Sequence, residues 1–371
     1  MKKCINIHKA AIVVILILSL IISLIPMTAA AASKSSKVKT YIFFGSDSRK
    51  KDDSWKSPAG GRITADSTGT QGTPRSDVIM LIKVDSKKKT IGVTSIYRDT
   101  LLDVSGKGKD FQKANKAYAD LGPAKASKVI AKNLGIKIDG YVATNFKGVA
   151  NVIDALGGVS VTVENEAVNK ANRKPGRNNV PDVMNEYIDE MNRVYKTKTP
   201  HVTKAGQQNL SGLQAVAYAR VRYTDGSDMK RSVRQRKVLR AMSAKYRSLD
   251  SEKKAAVLLT VLSNIDTNIG ADQFSTLFKR NANYKMAKLK KMKGFPYYKG
   301  TYILKTKKEK GGLSEVLVPC DLKTNVVKLH KSFYGEKKYK AGKTVKKYSK
   351  KIVKKTKLTY KKRARSLDNK Y

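Results

Sequence analysis

The sequence predicts an α/β fold in which α-helices cover both faces of a mixed central β-sheet, with a membrane segment at the N-terminus. Two patterns predict the sheet and its helices. Apolar runs of strand length alternate along the chain with segments that repeat apolar residues every three or four positions. A third observation predicts the membrane segment, because lysines at the start of the chain precede a long apolar run.

The N-terminal segment has the pattern of an export signal or a membrane anchor. Lys2, Lys3 and Lys9 precede an apolar run at 10–25, and small residues follow up to Ala32. This length fits a cleaved signal peptide and also a short transmembrane helix. In both cases the rest of the chain lies outside the cytoplasm. We expect a single-pass cell-membrane protein with its folded domain outside, or a secreted, wall-associated protein after cleavage.

The first elements of the folded part are strands. Val38–Phe44 is an apolar run that ends at a glycine, and a polar loop at 50–74 follows it. Val78–Val84 and Thr90–Ile96 are predicted to pair as a β-hairpin, since only five residues separate them. Antiparallel pairing brings the start of one strand beside the end of the next. The residues around Asp77 should therefore lie next to those around Arg98.

Helices and strands then alternate. The patterns predict helices at 123–134, 146–156, 181–195, 211–222 and 228–248, and strands at 141–143 and 159–163. On the helix at 228–248, a 3.6-residue period places Asp228, Arg231, Arg234 and Gln235 within one third of the circumference. They lie in its first turns, where the helix dipole favours a bound anion.

Arginine and aspartate recur together in four short clusters, three of them at predicted strand ends. The clusters are Asp47-Ser48-Arg49, Arg75-Ser76-Asp77, Arg98-Asp99-Thr100, and Arg220 and Arg222 followed by Asp228, Arg231, Arg234 and Gln235. A planar guanidinium binds phosphate oxygens through two parallel hydrogen bonds, which a lysine cannot do. Carboxylates among arginines are costly unless they bind a metal ion or orient the arginines. The clusters therefore predict a diphosphate site with a divalent cation.

The formal net charge of +48 indicates a polyanionic partner. Export excludes genomic nucleic acid and favours a polymer or lipid of the cell surface, so we expect no nucleic-acid partner. The lysines concentrate in a tail at 336–371, where doublets recur every four residues beside apolar positions. This tail is either a basic amphipathic helix on an anionic surface or a disordered, solvated segment, and both would bind anionic wall polymer or lipid.

Several motifs resemble those of the LytR–CpsA–Psr family, and they keep the family's order along the chain. They are residues 43–49, 75–81, 95–100, 113–118, 154–159, 212–222 and 228–235. The resemblance covers roughly residues 40–241, and the less specific segments up to about 335 look like the rest of the domain. Tyr97 and Ala114 depart from the family's usual proline and isoleucine. The chain is thus divided into a signal or anchor at 1–32, a linker at 33–39, a catalytic domain at 40–335 and the lysine-rich tail.

The resemblance implies the family's α-β-α domain and a Gram-positive envelope enzyme. Such a phosphotransferase moves a glycopolymer, such as teichoic acid or capsule, from a polyprenyl diphosphate carrier to peptidoglycan with the help of Mg²⁺, or of Mn²⁺ in its place. Asp47 and Asp77 match the family's metal-associated aspartates. The positions matching its diphosphate-binding set are Arg75, Arg98, Arg220, Arg222, Arg231, Arg234 and Gln235. Asp99 and Asp228 match carboxylates whose expected role is to orient the arginines.

Physical reasoning from the residues assigns the catalytic roles. Arg98, Arg220 and Arg222 are expected to clamp the diphosphate, while Asp47 and Asp77 hold magnesium. One of these aspartates, or Asp99, is expected to accept the proton of the attacking sugar hydroxyl. Two other classes stay open. The chain could be a hydrolase of the lipid diphosphate, with water as acceptor, or a non-catalytic binder of wall polymer.

Overall fold

A six-stranded mixed β-sheet forms the centre of the molecule in the computed structural model of the chain. The structure describes residues 38–46, 75–222, 224, 227–270, 285–286, 294–297, 301–307 and 313–359. The strands are β1 Val38–Ser46, β2 Ser76–Asp85, β3 Thr90–Ile96, β4 Leu101–Asp103, β5 Phe111–Lys113, β6 Gly140–Thr144, β7 Val159–Val163, β8 Gly206–Leu210, β9 Asp266–Thr267, β10 Lys285–Met286, β11 Thr301–Lys307 and β12 Leu313–Pro319.

The α-helices lie between and after these strands. They are α1 Ala114–Leu134, α2 Phe146–Ala155, α3 Val180–Tyr195, α4 Gly212–Arg220, α5 Ser227–Ser248, α6 Ser251–Ser263, α7 Leu322–Leu329 and α8 Lys343–Thr356. In the central sheet the strand order is β10-β3-β2-β1-β6-β9. β1 pairs antiparallel with β2 and parallel with β6, so the sheet is mixed, as the sequence predicts.

The two faces of the sheet carry separate apolar cores, which explains why β1 is apolar at successive positions. Ile42 and Phe44 pack into one core, and Tyr41 and Phe43 pack into the other. Strands that are buried on both faces read as continuous apolar runs rather than as alternating ones. Residues of α2, α3, α4, α5 and α6 cover the face of Tyr41, and those of α1, α7 and α8 cover the face of Ile42.

The pairing of β1 with β2 contains one irregularity that bears on the site. Gly45 pairs with Val78, but the next pair joins Ser46 to Ser76, so Asp77 has no partner residue on β1. An extra residue on one strand is a β-bulge, and it turns a side chain away from the strict alternation of the strand. Here the bulge lies at the carboxyl end of β1.

Helix ends follow local sequence signals. The Asn145 side chain accepts a hydrogen bond from the Gly148 amide at the start of α2, and Asn179 forms a capping box with Asp182 at the start of α3. Gly135 ends α1 in the left-handed conformation that glycine adopts without strain. Gly122 has a non-helical φ of 72°, so α1 consists of two helical segments that meet at a kink, and the second begins at Pro123, where the sequence predicts a helix to start.

The folded body extends beyond the predicted domain boundary at residue 335. Val345, Tyr348 and Ile352 of α8 are buried in the same core as α1 and β1. The lysine-rich segment is therefore helical at 343–356, as one of the two interpretations expected, but its apolar side packs on the domain. Within the residues described, no helix combines the length and apolarity needed to cross a membrane. The predicted N-terminal segment lies outside those residues.

Candidate active site

A cavity of about 390 Å³ opens at the carboxyl end of β1, on the face of the sheet that α2, α3, α4 and α5 cover. Its polar lining consists of Ser46, Asp77, Arg98, Thr144, Asn145, Glu190, Arg220, Arg222, Arg231 and Gln235. The apolar lining includes Phe43, Val78, Met80, Phe146, Val149, Tyr187, Val216 and Val238. The cavity thus combines a cationic rim with an apolar wall.

Asp77 joins two arginines on one side of this rim. Arg98 Nη1 donates to Asp77 Oδ1, and Arg222 Nη2 donates to Asp77 Oδ2 over 3.2 Å. The hairpin of β2 and β3 brings Asp77 to Arg98 and confirms the predicted neighbourhood of these residues. Arg222 arrives from the end of α4, 145 positions along the chain. Because each arginine donates through one nitrogen to the Asp77 carboxylate, this carboxylate orients both planar groups.

Arg220 is held differently, by aromatic rings and a glutamate. Its guanidinium carbon lies 4.2 Å from the ring centre of Tyr187 and 4.8 Å from that of Phe146. Its Nη2 donates to Glu190 Oε2 over 2.9 Å. Its Nη1 is buried and has no hydrogen-bond partner among the described residues. A buried guanidinium donor without a protein partner is costly, so this nitrogen is suited to an anionic ligand in the cavity.

The fifth helix adds two of the predicted residues to the same cavity. Arg231 and Gln235 lie one turn apart on α5 and both line it. The next residue on that face, Val238, belongs to the apolar lining. The helix thus presents polar groups to the cavity first and an apolar group in the next turn. The side chain of Asp228, at the start of α5, lies outside the described set.

Three other predicted site residues, Asp99, Arg75 and Arg234, are not part of the cavity lining. Asp99 accepts from Arg98 Nε at 3.3 Å and pairs with Lys113 Nζ at 2.8 Å, as expected of a carboxylate that orients an arginine. Arg75 is exposed just before β2. Arg234 is buried beside Glu164 and Glu166, and its Nη2 donates to Glu166 Oε2 over 2.8 Å. Asp47, the other predicted metal ligand, lies outside the described residues.

Arg234 therefore has a structural environment that the sequence pattern does not reveal. Its side chain is only 1% exposed, and it also donates to the Val221 carbonyl and the Thr224 hydroxyl. Lys237 of the same helix donates to Glu164. Burial alone would raise the pKa of Glu164, but the Lys237 hydrogen bond and the charges of Lys237 and Arg234 outweigh it and lower that pKa.

The residues missed by sequence reasoning come mainly from α3. Tyr187 and Glu190 lie three positions apart on this helix, and both reach the cavity. The sequence predicts a helix there, and its apolar residues recur at helical spacing. The pairing of Tyr187 with a glutamate one turn later was the available signal, but the pattern alone does not tell which element the helix covers.

The donor set fits a divalent cation only in part within the described residues. In that part of the chain, no group of three or more His, Cys, Asp or Glu side chains stands close enough together to bind a metal ion. Asp77 is a carboxylate at the cavity, and Mg²⁺ commonly takes one or two carboxylates together with substrate phosphates and waters. Asp77 thus fits the role of one protein ligand, with the remaining positions left to a phosphate, water or a second aspartate.

Together, the mixed sheet and the arginine-lined cavity at its edge define an α/β protein suited to an anion that carries an apolar group. Residues 25–310 match the LytR_cpsA_psr family, and the chain belongs to that family. The residues of β1, β2, α4 and α5 that line the cavity fall within this match, as does Arg98 just after β3. The elements β12, α7 and α8 follow it.

Known relatives agree with this assignment. Over 213 residues the chain is 31% identical to the polyisoprenyl-teichoic acid–peptidoglycan teichoic acid transferase TagU of Bacillus mycoides, covering 57% of this chain and 59% of the relative. Over 283 residues it is 30% identical to biofilm regulatory protein A of Streptococcus mutans, covering 70% and 64%. The alignments thus span less than two thirds of each of these relatives.

A solved structure shows the same fold. The crystal structure of TagV from B. subtilis superposes on 83% of this chain and 100% of its own chain, with a TM-score of 0.53 and 22% sequence identity. The mixed α/β architecture predicted from the sequence is therefore confirmed both in this structure and by comparison.

Proposed function

We propose that the protein is an envelope transferase that moves an anionic glycopolymer from a polyprenyl diphosphate carrier to peptidoglycan. Arg220 carries the proposal, because its buried Nη1 lacks a hydrogen-bond partner among the described residues at the junction between the cationic rim and the apolar wall. Relatives that are about 30% identical and bear the name of teichoic acid–peptidoglycan transferases support the substrate class.

The arginines supply the diphosphate site in this proposal. One cavity is lined by Arg98, Arg220, Arg222 and Arg231. A diphosphate placed there would meet donors from the segment after β3, from the end of α4 and from α5. Attack at phosphorus increases the negative charge on the surrounding oxygens, and oriented guanidinium groups stabilise that charge without having to reorganise. Asp77 and Glu190 keep Arg98, Arg222 and Arg220 in such orientations before substrate binds.

The apolar wall supplies a place for the lipid part of the carrier. Phe43, Met80, Val149, Val216 and Val238 continue from the arginine rim into the space between the sheet and the helices. A polyprenyl chain would bury apolar surface there, at about 25 cal/mol for each Å² removed from water.

The reaction is a displacement at phosphorus. The hydroxyl oxygen of an acceptor sugar in peptidoglycan bonds to the phosphorus that carries the polymer. The bond from that phosphorus to the bridging oxygen breaks, and polyprenyl phosphate leaves with the electron pair. The hydroxyl proton passes to a carboxylate, for which Asp77 at the cavity and Asp99, which pairs with Arg98, are the proposed groups, and the product is a phosphodiester.

We further propose Mg²⁺ as the cofactor, with Mn²⁺ as a substitute, held by Asp77 and by Asp47. When bound, the cation would neutralise charge on the diphosphate oxygens. Asp77 keeps its own role without it, because it aligns Arg98 and Arg222. The proposal also places the domain on the outer side of the cell membrane, where both the carrier and the acceptor are accessible.

The test is the incorporation of labelled polymer into peptidoglycan by the full chain and by Arg98→Ala/Arg220→Ala. Losing one oriented donor commonly costs about 10²–10³ in rate, so we expect the double variant to lose transfer by at least that factor. Arg177→Ala/Arg193→Ala is the matched control, since it also removes two arginines, neither of which lines the cavity. Arg177 instead pairs with Glu186.

Each other class predicts a different result. Undiminished transfer by the double variant would refute the site. Release of free phosphorylated polymer without any attachment to glycan would identify a hydrolase. Binding of polymer without turnover, at every magnesium concentration, would identify a binding protein.

A further inference from the structure

A surface covered with lysines lies on the face of the domain opposite to the cavity. The cavity belongs to the core that contains Phe43, whereas α8 packs against the core that contains Phe44. The helix α8 has seven lysines among its 14 residues and no acidic residue. All seven are exposed. This concentration of charge has no part in the cavity described above.

The lysines of α8 occupy one side of the helix. At 100° per residue, the seven fall within one half of its circumference, and Val345, Tyr348, Ser349 and Ile352 fall within the other half. The second set is buried. Along the axis, the strip from Lys343 to Lys355 extends about 18 Å at a rise of 1.5 Å per residue.

Neighbouring elements widen this strip. The Lys351 ammonium of α8 donates to the Gly108 carbonyl over 2.7 Å, and that of Lys132 in α1 donates to the Gly106 carbonyl over 2.9 Å. The loop at 105–110 therefore bridges the two helices, and it exposes Lys107 and Lys109 between them. We call the seven lysines of α8 together with Lys107, Lys109 and Lys132 the lysine face.

The lysine face is held in place by packing rather than by charge. Each pair of like charges three or four residues apart on a helix costs roughly 0.2–0.5 kcal/mol, so the lysines of α8 destabilise it as an isolated helix in water. Burial of its apolar side against the domain offsets this cost. The Tyr348 ring meets Phe111 edge-on, with ring centres 5.9 Å apart. Burial and the nearby Asp103 carboxylate raise the pKa of Tyr348 to about 12.

The chemistry of the surface selects its partner. Helices that bind the membrane interface insert their apolar side, but the apolar side of α8 is buried in the domain. The exposed side offers ammonium groups, which act as point charges and do not fix a single phosphate through two parallel bonds. A strip of such charges instead complements a linear chain of phosphodiesters, whose binding releases counterions at each contact.

We infer that the lysine face binds the phosphate backbone of an anionic wall polymer, at a segment distant from the diphosphate in the cavity. The inference rests on the proposed function for the identity of the polymer. It extends that function because the surface would retain the enzyme on its polymer independently of the chemistry. The elements β12, α7 and α8 follow the part of the chain that matches the family, so the seven lysines of α8 lie outside that match, whereas Lys107, Lys109 and Lys132 lie within it.

The experiment measures binding of the full chain, purified in detergent, to poly(glycerol phosphate) over a range of salt concentrations. The test variant is Lys346→Gln/Lys350→Gln/Lys354→Gln. It keeps Lys351 and Lys355, the two lysines of α8 that donate to backbone carbonyls. The control variant is Lys87→Gln/Lys198→Gln/Lys245→Gln, which removes the same charge from exposed sites scattered over the rest of the domain. Vesicles of phosphatidylglycerol and phosphatidylcholine provide the alternative source of phosphate.

We expect the test variant to bind the polymer on the order of tenfold more weakly, and its log–log salt slope to decrease by about 2. The control variant should bind nearly as the unmodified chain does. Equal losses in the two variants would show that only net charge matters and would overturn the inference. A loss seen with phosphatidylglycerol vesicles but not with polymer would also overturn it, in favour of a membrane surface.

Two further measurements separate the possible failures. Bound polymer should protect Lys350 and Lys354 of the unmodified chain from an amine-reactive reagent, and leave Lys198 and Lys245 accessible, which requires no folded variant. Arg98→Ala/Arg220→Ala should still bind polymer through the lysine face. If the arginine variant keeps transferring polymer, the proposed function fails, but the inference about the lysine face is unaffected. If the lysine variant binds polymer as the unmodified chain does, the inference about the lysine face fails, but the proposed function is unaffected.

Discussion

Two clusters of basic and acidic side chains, one including a residue of α4 and the other residues of α5, differ in what surrounds them. The cavity cluster consists of Asp77, Arg98, Glu190, Arg220 and Arg222. Its arginine side chains are 12–31% exposed, and they border open volume. The buried ion network consists of Glu164, Glu166, Lys230, Arg234 and Lys237, and its arginine is 1% exposed.

This difference separates binding from stability. In the buried ion network, Arg234 bonds to two glutamates, a backbone carbonyl and a hydroxyl, so its donors are used within the protein. Among the described residues, four arginines and two carboxylates line the cavity, and Arg220 Nη1 is buried there without a partner in the same set. Positive charge in excess over fixed carboxylates, next to open space, favours an anion. Positive charge that is matched inside the protein favours the fold.

The largest effect is expected in the buried ion network. Arg234→Ala should lower the free energy of unfolding by about 3–5 kcal/mol, because it leaves two partly buried glutamates with fewer cations. Arg234→Met should cost less, since it fills the volume. Denaturant unfolding measures both. Transfer per folded molecule should fall far less than in Arg98→Ala. A stable Arg234→Ala protein without transfer would instead support the predicted role of Arg234 in binding the diphosphate.

A smaller effect, and only on activity, is expected at Glu190. Glu190→Gln should lower kcat about tenfold, equivalent to about 1.4 kcal/mol, because Arg220 loses a charged partner that orients it. The KM for the lipid diphosphate should not rise, since a negative charge near the anion is removed as well. Steady-state kinetics measure kcat and KM separately. Glu186→Gln, one turn earlier on α3 and paired with Arg177 outside the cavity, should leave both values unchanged. A rise in KM at constant kcat would contradict a positioning role.

The smallest effect is expected from acid. The pKa of Glu164 is lower in the folded protein than its ordinary value, so its contribution to stability is fully present above that ordinary value. The contribution is lost as the pH falls through the lowered pKa, with a slope of at most about 1.4 kcal/mol per pH unit for one proton. Glu164→Gln should therefore unfold with a weaker dependence on pH below about 4 than the unmodified chain. Identical pH profiles would exclude Glu164 as a source of acid sensitivity.

The sequence predicts the strands well and the partners of the arginines only in part. β1, β2 and β3 are recognised because both faces of the sheet are buried, which gives long apolar runs. Hairpin pairing then brings Asp77 to Arg98 without any knowledge of the rest of the fold. Glu190 and Tyr187 were not predicted, since an amphipathic helix reveals that one side is buried but not what it is buried against. Arg234 shares a helical face with Arg231, and only the packing of β7 beside α5 separates their surroundings.

The lysine-rich segment illustrates the same limit. Its pattern of charge and apolar residues predicts an amphipathic helix, and α8 is one. The pattern could not distinguish a membrane, a solvated tail and the domain itself as the neighbour of the apolar side. The buried positions of Val345, Tyr348 and Ile352 identify the domain.

The bulge in β2 has a consequence for how the aspartate at the cavity is oriented. By strict alternation, Asp77 would share the face of Ile79 and Leu81, which belong to the opposite core. Because it is the one unpaired residue between Ser76 and Val78, it reaches the cavity together with Val78. The direction of this carboxylate thus depends on the number of residues at the start of β2. Deleting one residue there would move the Asp77 carboxylate to the other face of the sheet, although nearly the same residue types would remain at the site.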